Sequence, residues 1–234
     1  PHEGVVGNTI ASTALKEQYR LLIAAISKRL AARGIRCDIS DAWYLATQNH
    51  FSFSVDGKGK QELKEKMTQV LGAFADITKK GFGKEELADY VTEKVNRMKA
   101  DTIGFQSGKW CDDFVDYIIS GDRYVAWDED MEKVKLLVSN TSSSQLQKLF
   151  KTILNEGKQS LLVAYQNNAG KTESFTESEL QQLWQQGLKT RMPAYTYQRK
   201  EVEEKQHVDM PACLSATHPD ANASIVSKRK YEDI

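Results

Sequence analysis

A chain of 234 residues can bury a core without covalent staples, and its three cysteines, Cys37, Cys111 and Cys213, are too few and too scattered for a disulfide framework or a paired C-x-x-C metal site. Lysine plus arginine and aspartate plus glutamate number 32 each, so the formal net charge is zero, and the basic excess that a general nucleic-acid or anionic-membrane binder needs is missing. No apolar run reaches the roughly 18 residues of a membrane span. No signal peptide precedes His2, so the chain reads as soluble. It starts at Pro1, as a mature product or an excised piece of something longer would.

Residues 1–8 offer only Val5 and Val6 as an apolar pair, too short for a strand. Leu15, Tyr19, Leu22, Ile26 and Leu30 then recur at spacings of three and four, with Gly34 as the stop, which predicts a helix; Leu21, Ile23 and Ala25 widen its apolar face. Beyond Gly34 the period shortens. CDISDAWYLAT and HFSFSV predict an antiparallel hairpin, with Gln48 and Asn49 as turn material and Phe51, Phe53 and Val55 alternating with serines. The glycine-bearing 56–60 segment ends the strand, and Leu63, Met67, Val70, Leu71, Phe74 and Ile77 predict a second helix.

Gly81-Phe82-Gly83 breaks that helix, and Lys84, Glu85, Glu86 and Leu87 begin another, because glycine takes a left-handed turn cheaply and acidic residues suit a helix N-terminus. Leu87, Val91, Val95 and Met98 carry it on. Past Gly104, Trp110, Phe114, Tyr117 and Ile118 suggest a further helix, and Met131, Val134 and Leu137 another. Thr141–Ser144 is a capping cluster for a helix carrying Leu146, Leu149, Phe150, Ile153 and Leu154, and 158–165 reads as a buried strand. Thr176-x-x-Glu179 is a capping box ahead of Leu180, Leu183, Trp184 and Leu188; after Pro193 no period is sustained. A run of helices against a few mostly antiparallel strands defines an α+β fold, a small sheet with helices on one face. The expected divisions are an α+β half-unit over 1–170, an amphipathic helix over 171–192 and a linker over 193–234.

Catalytic chemistry is sparse. Of His2, His50, His207 and His218, only His2-Glu3 starts an H-E-x-x-H pattern, and Val6 stands where its second histidine would be; the inverted H-x-x-E-H pattern fails at all four. No G-x-S-x-G occurs, so Ser27 and Ser160 read as helix and strand filler. Gly157-Lys158 and Gly170-Lys171-Thr172 lack the leading glycine of a phosphate loop and read as turns. The acidic pairs Glu85/Glu86 and Asp112/Asp113 and the run Asp128–Asp130 sit at expected helix starts, where they complement the dipole, and Trp110 and Trp127 read as core or rim aromatics.

The succession ISKRLAARG, aromatic hairpin, HFSFSVDGK, long helix, GFGKEELADY, then WDEDMEKVKLLVSNTSSSQLQKLFKTILNEGKQSLLVAY resembles one half-unit of the pitrilysin/insulinase family of zinc metallopeptidases. The family's elbow usually reads glycine, aromatic, threonine or similar, any residue, glutamate, leucine; here it runs from Gly81 to Leu87 with glycine at the cap. The resemblance spans roughly 14–166, carried at its end by Thr141–Phe150 and Leu161–Tyr165, and extends to Ala223–Tyr231 as the lead-in to a following unit.

The resemblance implies repeated α+β half-units closing like a clamshell around a peptide, one of which carries H-x-x-E-H. This chain lacks that motif and so resembles a non-catalytic half. It would line the chamber, hold no cofactor itself and depend on zinc in a separate catalytic domain of the same polypeptide or a partner chain. Some such halves give the substrate an arginine and, seven residues on, a tyrosine. Arg33 and Arg36 are the corresponding candidates, and Ser40 replaces the tyrosine. The resemblance further implies a peptide substrate, no nucleic-acid partner and, from bacterial single-chain members, the periplasm or cell envelope. A scaffold or interaction module with the same fold and no protease is the alternative.

Overall fold

The computed structural model describes residues 2–5, 9–45, 48–103, 129–156 and 175–199, together with positions 111, 114, 115 and 118. The chain divides into two units, Pro1–Tyr197 and Gln198–Ile234, and every element below belongs to the first. In chain order these are β1 (His2–Glu3), α1 (Ile10–Ala32), β2 (Asp38–Leu45), β3 (Gln48–Ser54), α2 (Lys60–Lys80), α3 (Lys84–Ile103), α4 (Glu129–Ser139), α5 (Ser143–Glu156) and α6 (Glu177–Lys189). Helices dominate, and the described strands form a small antiparallel sheet of order β1-β3-β2, an α+β arrangement.

Local chemistry fixes both ends of α1. Thr9 and Ser12 form a reciprocal capping box at its start. At its end Gly34 takes φ +73°, its N–H donating to Ala31 O at 2.9 Å while Ile35 N–H donates to Leu30 O at 2.9 Å. That is a Schellman closure, and the buried pair Leu30 and Ile35 supplies its hydrophobic contact.

In β3 the alternation seen in the sequence becomes geometry: Phe51 and Phe53 are half-buried, while His50, Ser52 and Ser54 are exposed. Their rings meet α2 and α5 edge to face, with centroids 5.2 Å apart for Phe53–Phe74, 5.9 Å for Phe51–Phe150 and 5.3 Å for Phe74–Phe150. This aromatic knot joins Leu22, Ile26, Leu71 and Ile77 in the core. The six apolar positions expected on α2 are all buried.

Four expectations need amendment. Gln48 and Asn49 lie within β3, paired with Leu45 and Trp43, and are not turn residues; the connection falls at positions 46–47, outside the described residues. The polar Asn49 is tolerated because its amide donates to Asp41 Oδ2 at 3.4 Å. A strand does precede α1, at His2–Glu3 rather than Val5–Val6, and it exists through pairing with Asn49 and Gln48, a long-range partner that local propensity cannot reveal. On α4 the buried apolar positions are Val134 and Val138, whereas Leu137 is 42% exposed, because the stripe advances at 3.6 residues per turn. In the region around 110–118, Phe114 and Ile118 are exposed. Trp110, Tyr117, Trp127 and the expected strand at 158–165 lie outside the described residues.

Candidate functional site

The Gly81–Gly83 elbow joins α2 to α3 and is the most heavily bonded polar place in the described structure. Gly81 closes α2 at φ +68°, donating to Ile77 O at 2.8 Å. A Cβ there would lie 2.7 Å from Ser143 Oγ, so the left-handed turn and the close approach of α5 both require glycine. Ser143, in turn, accepts from Phe82 N–H at 2.9 Å and donates to Phe82 O at 2.8 Å, riveting the first turn of α5 to the elbow.

Glu86, three residues past the glycine that caps α3, accepts from Gly83 N–H at 3.1 Å, one half of a capping box whose other half glycine cannot supply. It is also 1% exposed and accepts from Arg29 of α1 through Nε at 2.6 Å and through Nη2, a bidentate pair completed by Tyr90 Oη at 3.2 Å. Burial and the Glu86 charge hold the Tyr90 hydroxyl protonated, far above the usual phenol range. Arg29 Nη2 also donates to Gly81 O at 3.3 Å. Its guanidinium lies between two rings, 5.1 Å from the Phe82 centroid and 4.3 Å from Tyr195.

Arg33, one helical turn on, pairs with Asp76 at 2.6 Å, donates to Pro193 O at 3.0 Å and lies 5.1 Å from the same Tyr195 ring. Its side chain is 8% exposed. Of the two arginines picked out from the sequence, Arg33 is therefore committed inside the domain, while Arg36 is exposed beyond the helix end; the structure does not bring them together. Ser40 pairs across the hairpin with Ser52, Oγ to Oγ, at 2.8 Å. Arg29, Glu86, Tyr195 and Tyr197 form the centre of the cluster and escaped the sequence reading. Glu86 was visible only as a helix-start acid, and Arg29 drew no reading of its own.

The segment Pro193–Tyr197, expected to begin a linker, rests on this cluster: Tyr197 Oη donates to Asp89 Oδ2 at 2.9 Å, and its ring meets Tyr90 edge to face at 6.0 Å. Burial and Asp89 push the Tyr197 hydroxyl up to about 12. Beside the elbow, a groove of about 730 Å³ has Phe82, Leu87, Val91 and Val95 among its lining residues.

His2 is 4% exposed, its Nε2 2.8 Å from Asp41 Oδ1, its Nδ1 2.9 Å from Glu3 O, and its ring stacked on Tyr19 at 5.5 Å. Both ring nitrogens are thus engaged by oxygens, and among the described residues no three His, Cys, Asp or Glu side chains converge. The donor set needed for zinc is not assembled by these residues. Cys37 is half-buried, and burial pushes its thiol up to about 11, well away from a reactive thiolate.

No protein-family model matches the chain, and no curated protein does. Among solved structures, the fold is that of part of a periplasmic protease. The chain is similar to the periplasmic protease PqqL from Escherichia coli, with a TM-score of 0.66 and 12% identity over 83% of this chain and 23% of that one. It is likewise similar to the separately solved first half of the same protease, with a TM-score of 0.63 and 11% identity over 83% of this chain and 44% of that one. The chain thus spans under half the length of either structure, and at this identity the likeness establishes the fold. Among the described residues no helix is long and apolar enough to cross a membrane.

Proposed function

We propose that this chain is a non-catalytic half-unit of a zinc metalloendopeptidase, a wall of the peptide-enclosing chamber that cuts nothing itself. The observation that carries the reading is the likeness to one part of a periplasmic protease across 83% of the chain, in a sequence that contains no H-x-x-E-H. In this reading zinc and the water-activating glutamate belong to a separate catalytic domain of the same polypeptide or a partner chain. The substrate is a peptide, and the compartment is the periplasm or cell envelope, as for the structural neighbour. The elbow suits such a part. Its charges are spent on one another, which makes a rigid joint between α1, α2 and α3 and leaves them unavailable to a reacting group.

The test compares the chain alone with the chain plus an adjoining H-x-x-E-H half, taken from its own reading frame or a co-purifying partner. Each sample is assayed for zinc by atomic emission and for cleavage of a quenched peptide library. Neither metal nor turnover is expected from the chain alone, and chelator-sensitive turnover is expected from the pair. Stoichiometric zinc and cleavage by the chain alone would overturn the proposal. If no H-x-x-E-H half adjoins or co-purifies, the chain is instead a scaffold module with a protease fold.

A further inference from the structure

Residues 191–197 adopt no helix or strand, and among the described residues they make no backbone–backbone hydrogen bond. They are nevertheless held down. Tyr195 and Tyr197, two apart, both turn onto the same surface. Tyr195 covers the guanidinium groups of Arg29 and Arg33, and Tyr197 reaches Asp89 and Tyr90. The segment's main chain is held, among the described residues, at Pro193 O, which accepts from Arg33. The receiving side chains are Arg29 of α1, Arg33 just past its end, and Asp89 and Tyr90 of α3, and each arginine has a carboxylate partner outside the segment, Glu86 for Arg29 and Asp76 on α2 for Arg33.

Upstream, the chain is anchored separately. Lys60 and Lys64 pair with Glu179 at 2.8 and 3.2 Å and Gly187 is pressed against Leu71, so α6 is held without the contact that Met192, at the start of the lifting segment, makes over Gly72. The segment can therefore lift while α6 stays docked. Beneath it Arg33 Nε is buried without a partner, so the present occupant leaves one donor of the seat unused.

We propose that Pro193–Tyr197 is a detachable strap, and that its seat on α1 and α3 is a recognition site for an extended peptide with tyrosine at alternate positions, occupied here by the chain's own segment. Two fixed arginines offer flat cationic faces to one aromatic ring, and Asp89 takes the hydroxyl of the next, so the seat reads side chains at i and i+2 and one carbonyl before them. Lifting the strap uncovers the Arg29–Glu86 pair and couples whatever pulls on the chain beyond Tyr197 to the elbow. The inference stands on these contacts and is independent of any protease activity.

Trypsin cleavage of the full chain between Arg191 and Met192, followed by mass spectrometry, measures strap opening, because a protease can seat this bond only when the segment is lifted. Tyr195→Ala should raise the rate about thirty-fold, as loss of a desolvated cation–π contact implies. Tyr195→Phe, which keeps the ring, should stay within about two-fold. Tyr197→Phe, losing one charge-assisted hydrogen bond and no packing, should raise it about five-fold. A fluorescent hexapeptide spanning Met192–Tyr197 should bind saturably to Tyr195→Ala full chain, weakly to wild type, and not at all with both its tyrosines replaced by alanine. Should Tyr195→Ala fail to fold, Tyr197→Phe and the hexapeptide's acceleration of wild-type cleavage decide the matter. Equal cleavage of all variants, or no hexapeptide effect on any of them at millimolar concentration, would overturn the proposal.

Discussion

Replacing Glu86 by glutamine removes one charge and almost no volume from the most buried polar site in the described structure. The wild-type carboxylate receives Arg29 Nε at 2.6 Å and Nη2, Gly83 N–H at 3.1 Å and Tyr90 Oη at 3.2 Å, all donors. A glutamine offers one oxygen and turns an NH2 toward groups that can only donate, and it strands the Arg29 guanidinium, whose side chain is 5% exposed, without a counter-charge. Breaking a buried pair from one side costs about 3–5 kcal/mol. Because a domain of this size has a total stability on the order of 5–15 kcal/mol, the loss is a large share of it. At about 2–4 °C per kcal/mol, the melting midpoint should drop by roughly 10 °C. Urea unfolding followed by tryptophan fluorescence measures the change directly, and an unaltered m-value would show that native and unfolded states kept their exposed areas. The double replacement Arg29→Met with Glu86→Leu should recover most of the loss, since a well-packed apolar pair is often no worse than a buried ion pair. A loss below about 1 kcal/mol for Glu86→Gln, or a double variant as unstable as the summed singles, would refute the claim that mutual neutralisation holds this joint.

Two further outcomes follow from particular contacts. Gly187→Ala in the interior of α6 should destabilise by about 1–3 kcal/mol. Helix propensity alone favours alanine by about 1 kcal/mol, but the new Cβ would lie 2.6 Å from Leu71 Cδ1 and 2.7 Å from Leu71 Cβ. A stabilised variant in thermal melts would mean that α2 and α6 are not in this close contact. Glu179 is pulled from its ordinary 4.5 down to about 2, chiefly by Lys60, then by the Thr176 N–H and Lys64. A depressed carboxylate stabilises the fold above the unfolded value and loses that contribution as pH falls through the folded one, so the effect belongs between about pH 4.5 and 2. The gap between wild-type and Glu179→Gln melting temperatures should therefore narrow across that window. Parallel curves would contradict it.

The elbow shows how far residues by themselves could be read. Gly81, Gly83 and the acids after them announced a helix stop and start, because left-handed backbone and helix dipoles are local physics acting over a few residues. The same holds for the Thr176 cap, the Gly34 closure and the Phe51/Phe53 alternation, whereas the Thr9 cap emerged only from the structure. What the acid at 86 does was not legible. As a first-turn residue it complements a dipole wherever it stands, and only the packing of α1 across α3 brings Arg29 to it and makes it a buried counter-ion.

Arg33 tells the same story from the other side. In the sequence it sits at a helix end, open to a substrate-gripping role. In the fold Asp76, from a helix 43 residues away, and Pro193 O, 160 residues away, engage its two terminal nitrogens, while Nε stays buried without a partner. The segment after Pro193 looked like a linker because it has no period, and period reports regular backbone pairing. A strap held by two side chains and one carbonyl has none to report.

Composition, helical and strand periods and capping chemistry thus determined, from the chain alone, the α+β class, most element positions and the absence of a zinc motif, since each rests on interactions between near neighbours. Tertiary structure decided the rest: the strand at His2–Glu3, the buried Arg29–Glu86 joint, the commitment of Arg33 and the docking of Tyr195 and Tyr197. Each of these depends on partners far apart in the chain, whose meeting is set by how the helices pack and not by any local preference of the residues involved.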